Sequence, residues 1–356
     1  MITGTITIGM FFITCIIALL EPYMGKFKWP VYISLGGVLI FVAALREVGV
    51  DPDSINYEYS FLHYDTPSNN IMESVEPTFT WFSAFLSFFT NDVHALFFVY
   101  AALGLSLKFI AFRRLTEFWF LPVVVYISYY FIAHEMMQIR TAVLSGILLL
   151  AVSYQVQGRK LMALLLIAIG TMFHYSAFLL LPMLFMSSDY MSLKRRLIWT
   201  AAIPASYVIY FLGLSILMSL DIPLVGAKLA SYQSGTEKGT VDSFVNVFRP
   251  LHLFTIMMFA YLMYFYDTIV ENNKHFTLLL KLFIIGICGY EVFGFLPVLA
   301  QRVNQLFLVS TIPLFTCIYY TIRPKWAGIL VVIIVSFVYL NYALPFISTQ
   351  LFWNGQ

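Results

Sequence analysis

Residues 134–154 read HEMMQIRTAVLSGILLLAVSY, a short polar opening followed by an apolar run of the length that a membrane helix needs. Apolar runs near ~20 residues recur along the whole chain, and each is long enough to cross about 30 Å of hydrocarbon. The 356 residues are 61% hydrophobic and 11% charged, whereas a soluble domain carries roughly 25% charged residues. The sequence therefore predicts an all-α polytopic membrane protein with about 10–12 transmembrane helices.

Charge and cysteine content exclude several other classes. The formal net charge is +2, which gives no basis for a nucleic-acid partner. The three cysteines, Cys15, Cys288 and Cys317, all lie in apolar runs, so neither a disulfide framework nor metal-ligand spacing is visible. We therefore expect no metal site and no cofactor.

The apolar runs predict the number and kind of membrane segments. Residues 77–89 are too short to cross at ~1.5 Å per residue and predict an interfacial or re-entrant helix. Residues 161–186 are interrupted at His174, and fit either one tilted span or two short helices that meet there. Neither a linker nor an internal repeat is visible, so residues 1–356 are predicted to form a single integral membrane domain. Full spans are predicted at 3–20, 29–45, 93–112, 118–134, 141–157, 197–219, 251–267, 278–298, 303–321 and 326–344.

The positions of the basic residues favour one topology. Positive charge concentrates on the cytoplasmic side of membrane proteins. All basic clusters fall on that side if 77–89 does not cross and 161–186 enters and returns as a hairpin. The same topology places loop 46–76, His174 and loop 220–250 on the extracytoplasmic face, which predicts one outward-facing site built from several loops. The basic clusters are Lys26/Lys28, Arg113/Arg114, Arg159/Lys160, Lys194/Arg195/Arg196, Lys274 and Arg323/Lys325.

Loop 46–76 concentrates the acidic residues of the chain. It contains seven of the 18 carboxylates and one basic residue. The candidates for accepting a proton from an attacking hydroxyl are Asp51, Asp53, Glu58 and Glu76. Glu76 precedes Pro77 where the chain re-enters apolar sequence, so we expect partial desolvation to raise its pKa.

The same loop carries aromatic residues among its acids. Tyr57 and Tyr59 are candidates for stacking on sugar rings. The competing interpretation of these tyrosines is an interfacial aromatic belt, which many membrane proteins have at the lipid headgroups.

Four arginines near predicted span ends are candidates for binding an anion. Arg140 opens an apolar helix, and Arg302 lies between two apolar spans, both on the side where positive charge is disfavoured. Arg46 and Arg249, each at the end of a span, are weaker candidates, because snorkelling arginines are common there. A guanidinium fits phosphate oxygens in a bidentate manner, so the four arginines predict a site for a lipid-linked diphosphate.

His174 lies between two apolar halves in TMFHYSAFLLLP. A single histidine in an apolar helix is commonly a structural hydrogen-bonding group. At the outward tip of a hairpin, however, it is suited to donate a hydrogen bond to phosphate or to act as an acid or base near neutral pH. Both interpretations stay open at this point.

The order of these elements resembles the EpsG family and the Wzy-type polymerases of bacterial surface polysaccharides. The resemblance covers most of the chain, and its motifs are specific only in combination. They are Arg46 at the end of the second span, Val48-Gly49-Val50-Asp51-Pro52-Asp53 with Tyr57, Glu76-Pro77, Arg140-Thr141-Ala142, His174-Tyr175-Ser176-Ala177 and Arg302. The paired acids Asp51 and Asp53 depart from the single leading Asp that we expect, and leave open which of them belongs to the site.

The resemblance implies a GT-C-like glycosyltransferase in the bacterial inner membrane with its active site facing the periplasm. Its partners would be undecaprenyl-diphosphate-linked oligosaccharides as donor and acceptor, membrane lipid and a chain-length regulator. The growing glycan would pass to the non-reducing end of a fresh repeat unit without a metal. Arg140 and Arg302, with Arg46 and His174, would hold the diphosphate, and Asp53 or Glu76 would deprotonate the acceptor.

Other interpretations use similar residues. An O-antigen ligase shares the donor, but usually has its dominant loop late in the chain, whereas the richest loop here is early. A transporter or flippase of lipid-linked oligosaccharide should line charged residues through the membrane rather than on one face. A membrane acyltransferase would need a His that is paired with a nearby acid and faces an acyl donor at the cytoplasmic side, and no such pair is evident in the sequence.

Overall fold

The computed structural model describes residues 2–51, 53–65, 76–217 and 245–348. Every regular element in these ranges is helical, which confirms the all-α polytopic fold class. The chain forms two compact units: unit 1 comprises residues 1–187 and 312–356, and unit 2 comprises residues 188–311. Most of the predicted loop 220–250 lies outside the described residues. That all 356 residues form one integral domain stays a prediction.

The helices of unit 1 occupy most of the first half of the chain. A π-helix, Phe131–Met137, precedes the seventh helix, and a 3₁₀-helix, Tyr175–Phe185, follows the eighth. The α-helices are α1 Ile2–Leu20, α2 Lys28–Ala44, α3 Ser54–Leu62, α4 Pro77–Ser87, α5 His94–Leu115, α6 Leu121–Ser128, α7 Ile139–Val156 and α8 Lys160–Phe173.

The remaining helices form unit 2 and the C-terminal part of unit 1. Those of unit 2 are α9 Leu193–Leu217, α10 Pro250–Tyr264, α11 Tyr266–Val270, α12 Phe276–Val292 and α13 Pro297–Leu308. The helices that follow are α14 Thr311–Thr316, α15 Ile318–Thr321, α16 Lys325–Ala343 and α17 Pro345–Ser348.

Five helical stretches in the described part of the chain are long and apolar enough to cross a membrane, or six if the consecutive helices Pro297–Leu308 and Thr311–Thr321 count as one bent span. Shorter apolar helices, Lys160–Phe173, Tyr175–Phe185 and Pro250–Tyr264, accompany them. The chain is therefore a multi-pass membrane protein. The five stretches are Thr3–Tyr23, Gly25–Ala44, His94–Leu115, Ile139–Val156 and Lys325–Ile347.

Several predicted spans are not single helices, and the breaks in two of them have a visible local cause. The predicted span 118–134 is broken after Ser128, whose hydroxyl donates back to the carbonyl of Val125 at 2.6 Å. The predicted span 303–321 is broken near Ser310, whose hydroxyl donates back to the carbonyl of Phe307 at 2.8 Å. Such local bonds compete with the helical ladder, and Pro313 removes one of its donors.

Residues 161–186 form the hairpin that charge placement predicted. The chain leaves along α8, turns at His174, and returns along the 3₁₀-helix. The side-chain amide of Gln155, near the end of α7, donates to the carbonyls of Leu184 and Met186 at 3.0 and 3.3 Å. Because α8 begins shortly after Gln155, the end of the 3₁₀-helix lies beside the start of α8, and His174 marks the far end of the hairpin.

Helices α2 and α5 run antiparallel and define the two ends of unit 1. Near one end the hydroxyl of Tyr32 donates to the carbonyl of Phe109 at 2.9 Å. At the other end Nε2 of His94 lies 3.0 Å from the carbonyl of Arg46. Aromatic side chains of α3, α4 and α5 fill the interior next to this second end. The buried cluster comprises Tyr57, Phe61, Phe79, Val93, Leu96, Phe97, Tyr100, Ile139, Val143 and Ile147.

Candidate functional site

Three separate elements bring Glu76, Arg140 and His174 together at one end of unit 1. Glu76 precedes α4 in an extended conformation, with Pro77 as the first helical residue. Arg140 lies in the first turn of α7, just after the π-helix. His174 is the extended residue between α8 and the 3₁₀-helix. Each residue therefore sits where a helix begins or breaks, and its side chain is free to turn toward the others.

Glu76 is the centre of this cluster, because each of its oxygens has a cationic or imidazole partner. Arg140 Nη1 donates to Oε2 of Glu76. Nδ1 of His174 lies 2.5 Å from Oε1. The exposed fraction of the side chain is 4% for Glu76, 13% for His174 and 28% for Arg140. The carboxylate is therefore enclosed while the guanidinium stays partly accessible.

Neighbouring residues fix the cluster in place. The hydroxyl of Thr78, in the first turn of α4, donates to the carbonyl of Met172 at 2.8 Å and ties α4 to the end of α8. The guanidinium carbon of Arg140 lies 5.8 Å from the ring centroid of Tyr57 and 6.0 Å from that of Phe79. Cations are attracted to aromatic faces at such distances, so the two rings form a wall that orients Arg140.

The electrostatic environment of Glu76 differs from the sequence prediction. Desolvation by burial does favour its neutral form, as predicted. The hydrogen bond from His174 and the charges of Arg140 and His174 outweigh burial, however, and hold the pKa of Glu76 below its ordinary value of 4.5. The prediction of a raised pKa was therefore wrong, because the sequence did not show the two partners. Burial raises the pKa of Tyr57 to about 12, against the opposing effect of Arg140, so its phenol is neutral.

Arg46 and Asp51 form a second, fully enclosed pair. Arg46 Nε donates to Oδ2 of Asp51 at 3.2 Å, and both side chains have an exposed fraction of 0%. Arg46 also donates to the carbonyl of Ala43 at 2.7 Å and lies 3.8 Å from the ring centroid of Phe97. Oδ1 of Asp51 accepts the backbone N–H of Asp53 and Ser54 at 3.0 and 2.9 Å. In this conformation the pair anchors the start of the loop, and the ligand-binding roles predicted for its members stay predictions.

The other candidate residues of loop 46–76 differ in their burial and in their contacts with the cluster. Tyr57 is buried and contacts Arg140. Asp53 is partly buried at the start of α3. Tyr59 is 66% exposed and stacks on His63 with ring centroids 4.3 Å apart. Of the two acids flanking Pro52, Asp53 is thus the more accessible, and Tyr59 has an open face.

Arg249 and Arg302 belong to unit 2. Arg249 precedes α10, and its Nη1 lies 3.4 Å from the hydroxyl of Tyr290. Arg302 is exposed on α13. Both stay predictions as diphosphate ligands. In the same unit the buried Glu291 bonds to Ser206 and to His252 on neighbouring helices.

Unit 1 contains a fully buried charged pair that the sequence patterns did not predict. Lys108 on α5 donates to Glu135 of the π-helix at 2.6 Å, and both side chains are fully buried. Two signals in the sequence pointed to it. A lysine interrupts the apolar run of α5, and a glutamate lies a few residues before the apolar run of α7. Ionisable residues inside membrane segments usually pair with one another.

Metal binding has no visible basis in the described part of the chain, where no group of three or more His, Cys, Asp or Glu is arranged to hold an ion. Positive charge at the site comes instead from Arg140. The site is therefore a carboxylate, an imidazole and a guanidinium at the end of a helical bundle.

The fold and this cluster define a multi-pass membrane protein with a polar cluster of a carboxylate, an imidazole and a guanidinium at the end of its helices. The family model of the EpsG family matches residues 29–355, so the chain belongs to the EpsG family. Family membership makes it a membrane protein of polysaccharide biosynthesis. The resemblance that the motifs indicated is confirmed. No curated protein and no solved structure matches the chain significantly.

Proposed function

We propose that the chain is a polysaccharide polymerase, a metal-independent membrane glycosyltransferase. It transfers a growing glycan from undecaprenyl diphosphate to the non-reducing end of an undecaprenyl-diphosphate-linked repeat unit. The observation that carries the proposal is the contact of Arg140 and His174 with Glu76. This contact joins an anion-binding group to a base with an orienting partner, and glycosyl transfer from a diphosphate needs both.

Arg140 supports binding of the donor. Its guanidinium has five N–H donors, and Glu76 takes a bond from Nη1 alone. With 28% of the side chain exposed, donors remain for the oxygens of a diphosphate. A positive group held in place by Glu76, Tyr57 and Phe79 stabilises the charge that builds on the leaving diphosphate.

His174 is the better base of the two groups that share the hydrogen bond. With Nδ1–H donated to Glu76, Nε2 of the neutral ring carries a lone pair. Glu76 itself has both oxygens occupied and a lowered pKa, which makes it a weak base. We therefore assign Glu76 to orient His174, in the manner of an acid–histidine pair, and keep Asp53 as the alternative base.

The proposed reaction balances without another reactant. The acceptor hydroxyl oxygen forms a bond to the anomeric carbon at the reducing end of the growing glycan, and His174 Nε2 takes the hydroxyl proton. The bond from that carbon to the diphosphate oxygen breaks, and undecaprenyl diphosphate leaves with the electron pair. Arg140 faces that oxygen, and Tyr57 and Tyr59 are placed to contact the sugars.

The positions of the basic residues support a periplasmic site in the bacterial inner membrane. The cluster lies at the end of unit 1 where α5 begins, and Arg113 and Arg114 lie in the last turn of the same helix. Because α5 is long enough to span the membrane, the arginine pair and the cluster belong to opposite sides. With the arginine pair cytoplasmic, the cluster faces the periplasm.

The first test is a gel of the surface polysaccharide from a host that lacks this gene, complemented with wild type or Arg140→Ala. A polymerase predicts lipid with a single repeat in the deletion strain, and a ladder that only wild type restores. Bare lipid core with full-length chains retained on undecaprenyl diphosphate would instead indicate a ligase. Loss of all external repeat units, with lipid-linked repeats accumulating inside, would indicate a flippase, and a ladder with Arg140→Ala would contradict the assigned site.

A further inference from the structure

The buried pair Lys108–Glu135 lies close to Arg140 in the chain. Glu135 belongs to the π-helix Phe131–Met137, and Gln138 separates that helix from α7, in whose first turn Arg140 lies. Gln138 has φ −106° and ψ 67°, which is not helical, so the backbone is broken two residues before Arg140. A break at this point leaves the direction of the first turn of α7 to be set by contacts rather than by the helical ladder.

Lys108 makes contacts on both sides of this break. Its ammonium donates to Oε1 of Glu135 at 2.6 Å and to the backbone carbonyl of Ala142 at 2.6 Å. Ala142 follows Arg140 by two residues in α7. One buried cation therefore holds the π-helix and the first turn of α7 at a set spacing.

The packing of α5 against α7 leaves little room for this spacing to change. A Cβ atom added at Gly104 would lie 2.9 Å from Oε1 of Glu135, and one added at Gly146 would lie 2.7 Å from the Cβ of Leu107. The two glycines thus allow the backbones of α5 and α7 to approach closely. Lys108 is completely buried in this contact.

The pair is costly in a membrane interior, and stability alone does not explain it. Burying two charges carries a desolvation penalty that their attraction often fails to exceed, and well-packed apolar residues do as well or better. Beside the pair, both ring nitrogens of the buried His134 have no hydrogen-bond partner among the described residues. A costly arrangement placed at the break before Arg140 points to a functional gain.

We infer that Lys108 and Glu135 are positioning residues that aim Arg140 at the site. The kinetic test of this inference rests on the proposed function, whereas the contacts that support the inference are independent of it. The ammonium of Lys108 bonds to Glu135 and to the carbonyl of Ala142, not to Glu76, and it acts by holding that carbonyl and so the turn that carries Arg140.

A kinetic cycle tests the inference in the purified full-length chain with lipid-linked repeat units. Lys108→Met should lower kcat/KM by about 10- to 100-fold, because a shift of about 1 Å in a charged group costs that much. Adding Lys108→Met to Arg140→Ala should cause no further loss, because the lysine acts through the arginine. If the losses in kcat/KM of the two single variants multiplied in the double variant, Lys108 would act independently of Arg140, and the inference would be overturned.

A second variant separates positioning from folding. Glu135 left alone in the interior can prevent Lys108→Met from folding, whereas Lys108→Met/Glu135→Leu removes both charges and keeps an apolar interior. The double variant should fold and stay slow. Recovery of the wild-type rate together with folding would show that the pair serves stability only, and would overturn the inference.

Ser145→Ala is the matched control. The hydroxyl of Ser145 donates to the same carbonyl of Ala142 at 2.8 Å, but it lies on α7 itself and does not cross the break. Its loss should leave kcat/KM within about twofold of wild type, since a local bond of this kind contributes little. A loss as large as that of Lys108→Met would contradict a role for the bridge.

Thiol labelling gives a readout that does not depend on activity. In an Arg140→Cys background, the rate of reaction with a water-soluble thiol reagent should change several-fold on Lys108→Met/Glu135→Leu and stay constant on Ser145→Ala. Wild type, with Cys15, Cys288 and Cys317, gives the background rate. An unchanged rate at residue 140 would overturn the inference. A changed rate at residue 140, together with no glycosyl transfer by the wild-type protein, would keep the positioning role of Lys108 and Glu135 and reject the proposed polymerase.

Discussion

Glu76 and Glu291 each have a histidine as a hydrogen-bonding partner, but their surroundings differ. Each carboxylate bonds one oxygen to a histidine, His174 at 2.5 Å and His252 at 2.9 Å. The other oxygen of Glu76 accepts from Arg140, whereas that of Glu291 accepts from the hydroxyl of Ser206. Glu291 has no exposed side-chain surface, and among the described residues no lysine or arginine bonds to it.

This difference shows that a glutamate–histidine pair is not by itself a site. At Glu76 the pair adjoins a partly exposed cation, as the proposed anion binding and proton transfer require. At Glu291 the same pair satisfies polar groups between α9, α10 and α12 in the interior of unit 2. Access and a nearby positive charge distinguish the proposed catalytic pair from a structural one.

The largest contrast is expected between the two histidines. His174→Ala removes the proposed base and should lower kcat by about 10²–10⁴-fold while the protein still folds. His252→Ala should leave the rate of the folded protein unchanged and cost about 1–3 kcal/mol of stability, because it leaves Glu291 short of a partner. Turnover and unfolding temperature in detergent measure both. Equal loss of turnover in the two variants would remove the distinction.

Arg140 is the cationic partner that distinguishes Glu76 from Glu291. Removing Arg140 should therefore make the surroundings of Glu76 resemble those of Glu291. Arg140→Ala should lower kcat/KM by about 10²–10³-fold, since one donor to a developing negative charge contributes that much. Arg140→Lys keeps the charge but loses the planar fork, and should recover only part of the activity. Full activity of Arg140→Ala would show that other residues hold the diphosphate.

Glu76→Gln tests the orienting role through pH as well as rate. The pKa of Glu76 is lowered in the folded protein, so its charge contributes stability above its unfolded pKa, and this contribution is lost as pH falls through the folded pKa. The ordinary pKa of the Glu76 carboxyl is 4.5, so below that pH wild type should lose stability more steeply than Glu76→Gln. The substitution should also lower kcat by about 10- to 100-fold, because His174 loses its anionic partner.

Unfolding temperatures between about pH 6 and pH 3 measure the first effect. Parallel curves for wild type and Glu76→Gln would mean that the carboxylate has no stabilising charge partners. An unchanged kcat of Glu76→Gln would contradict the orienting role of Glu76 and favour Asp53 as the base.

The smallest effect on transfer is expected at Asp51, where the contrast is with Asp53. Asp51→Ala leaves Arg46 buried without its anion and should cost about 3–5 kcal/mol of stability, with little change in the rate per folded molecule. Asp53→Ala lies at a more accessible position and should cost less than about 1 kcal/mol. Thermal unfolding of the matched pair measures this. A larger loss of stability for Asp53→Ala would reverse the assignment of the two acids.

The sequence predicted individual elements better than their contacts. The hairpin at His174 and the short helix after Glu76 followed from segment length and charge placement, and both are present. The breaks near Ser128 and Ser310 did not follow, because hydropathy reports apolar content and not hydroxyl groups bonded back to the ladder. The GT-C-like architecture stays a prediction.

The candidate residues show the same division. Glu76, Arg140 and His174 were each singled out as polar residues in apolar surroundings. The sequence assigned Arg46 and Arg140 to the same task, however, and the structure gives the first an enclosed anion and the second partial exposure. Burial and pairing depend on neighbours that are distant in the chain.

The sequence by itself determined that this protein is a helical, multi-pass member of the EpsG family with an acid-rich loop and a few arginines at helix ends, because hydropathy, composition and the order of motifs are local properties of the chain. Only the tertiary structure decided that Glu76 joins Arg140 and His174, which are 64 and 98 residues away, that the pKa of Glu76 is lowered, and that Lys108 bridges the break before Arg140. These are pairwise contacts across space, and the free energy of a charge inside a membrane protein depends on which partner lies within a few ångströms of it.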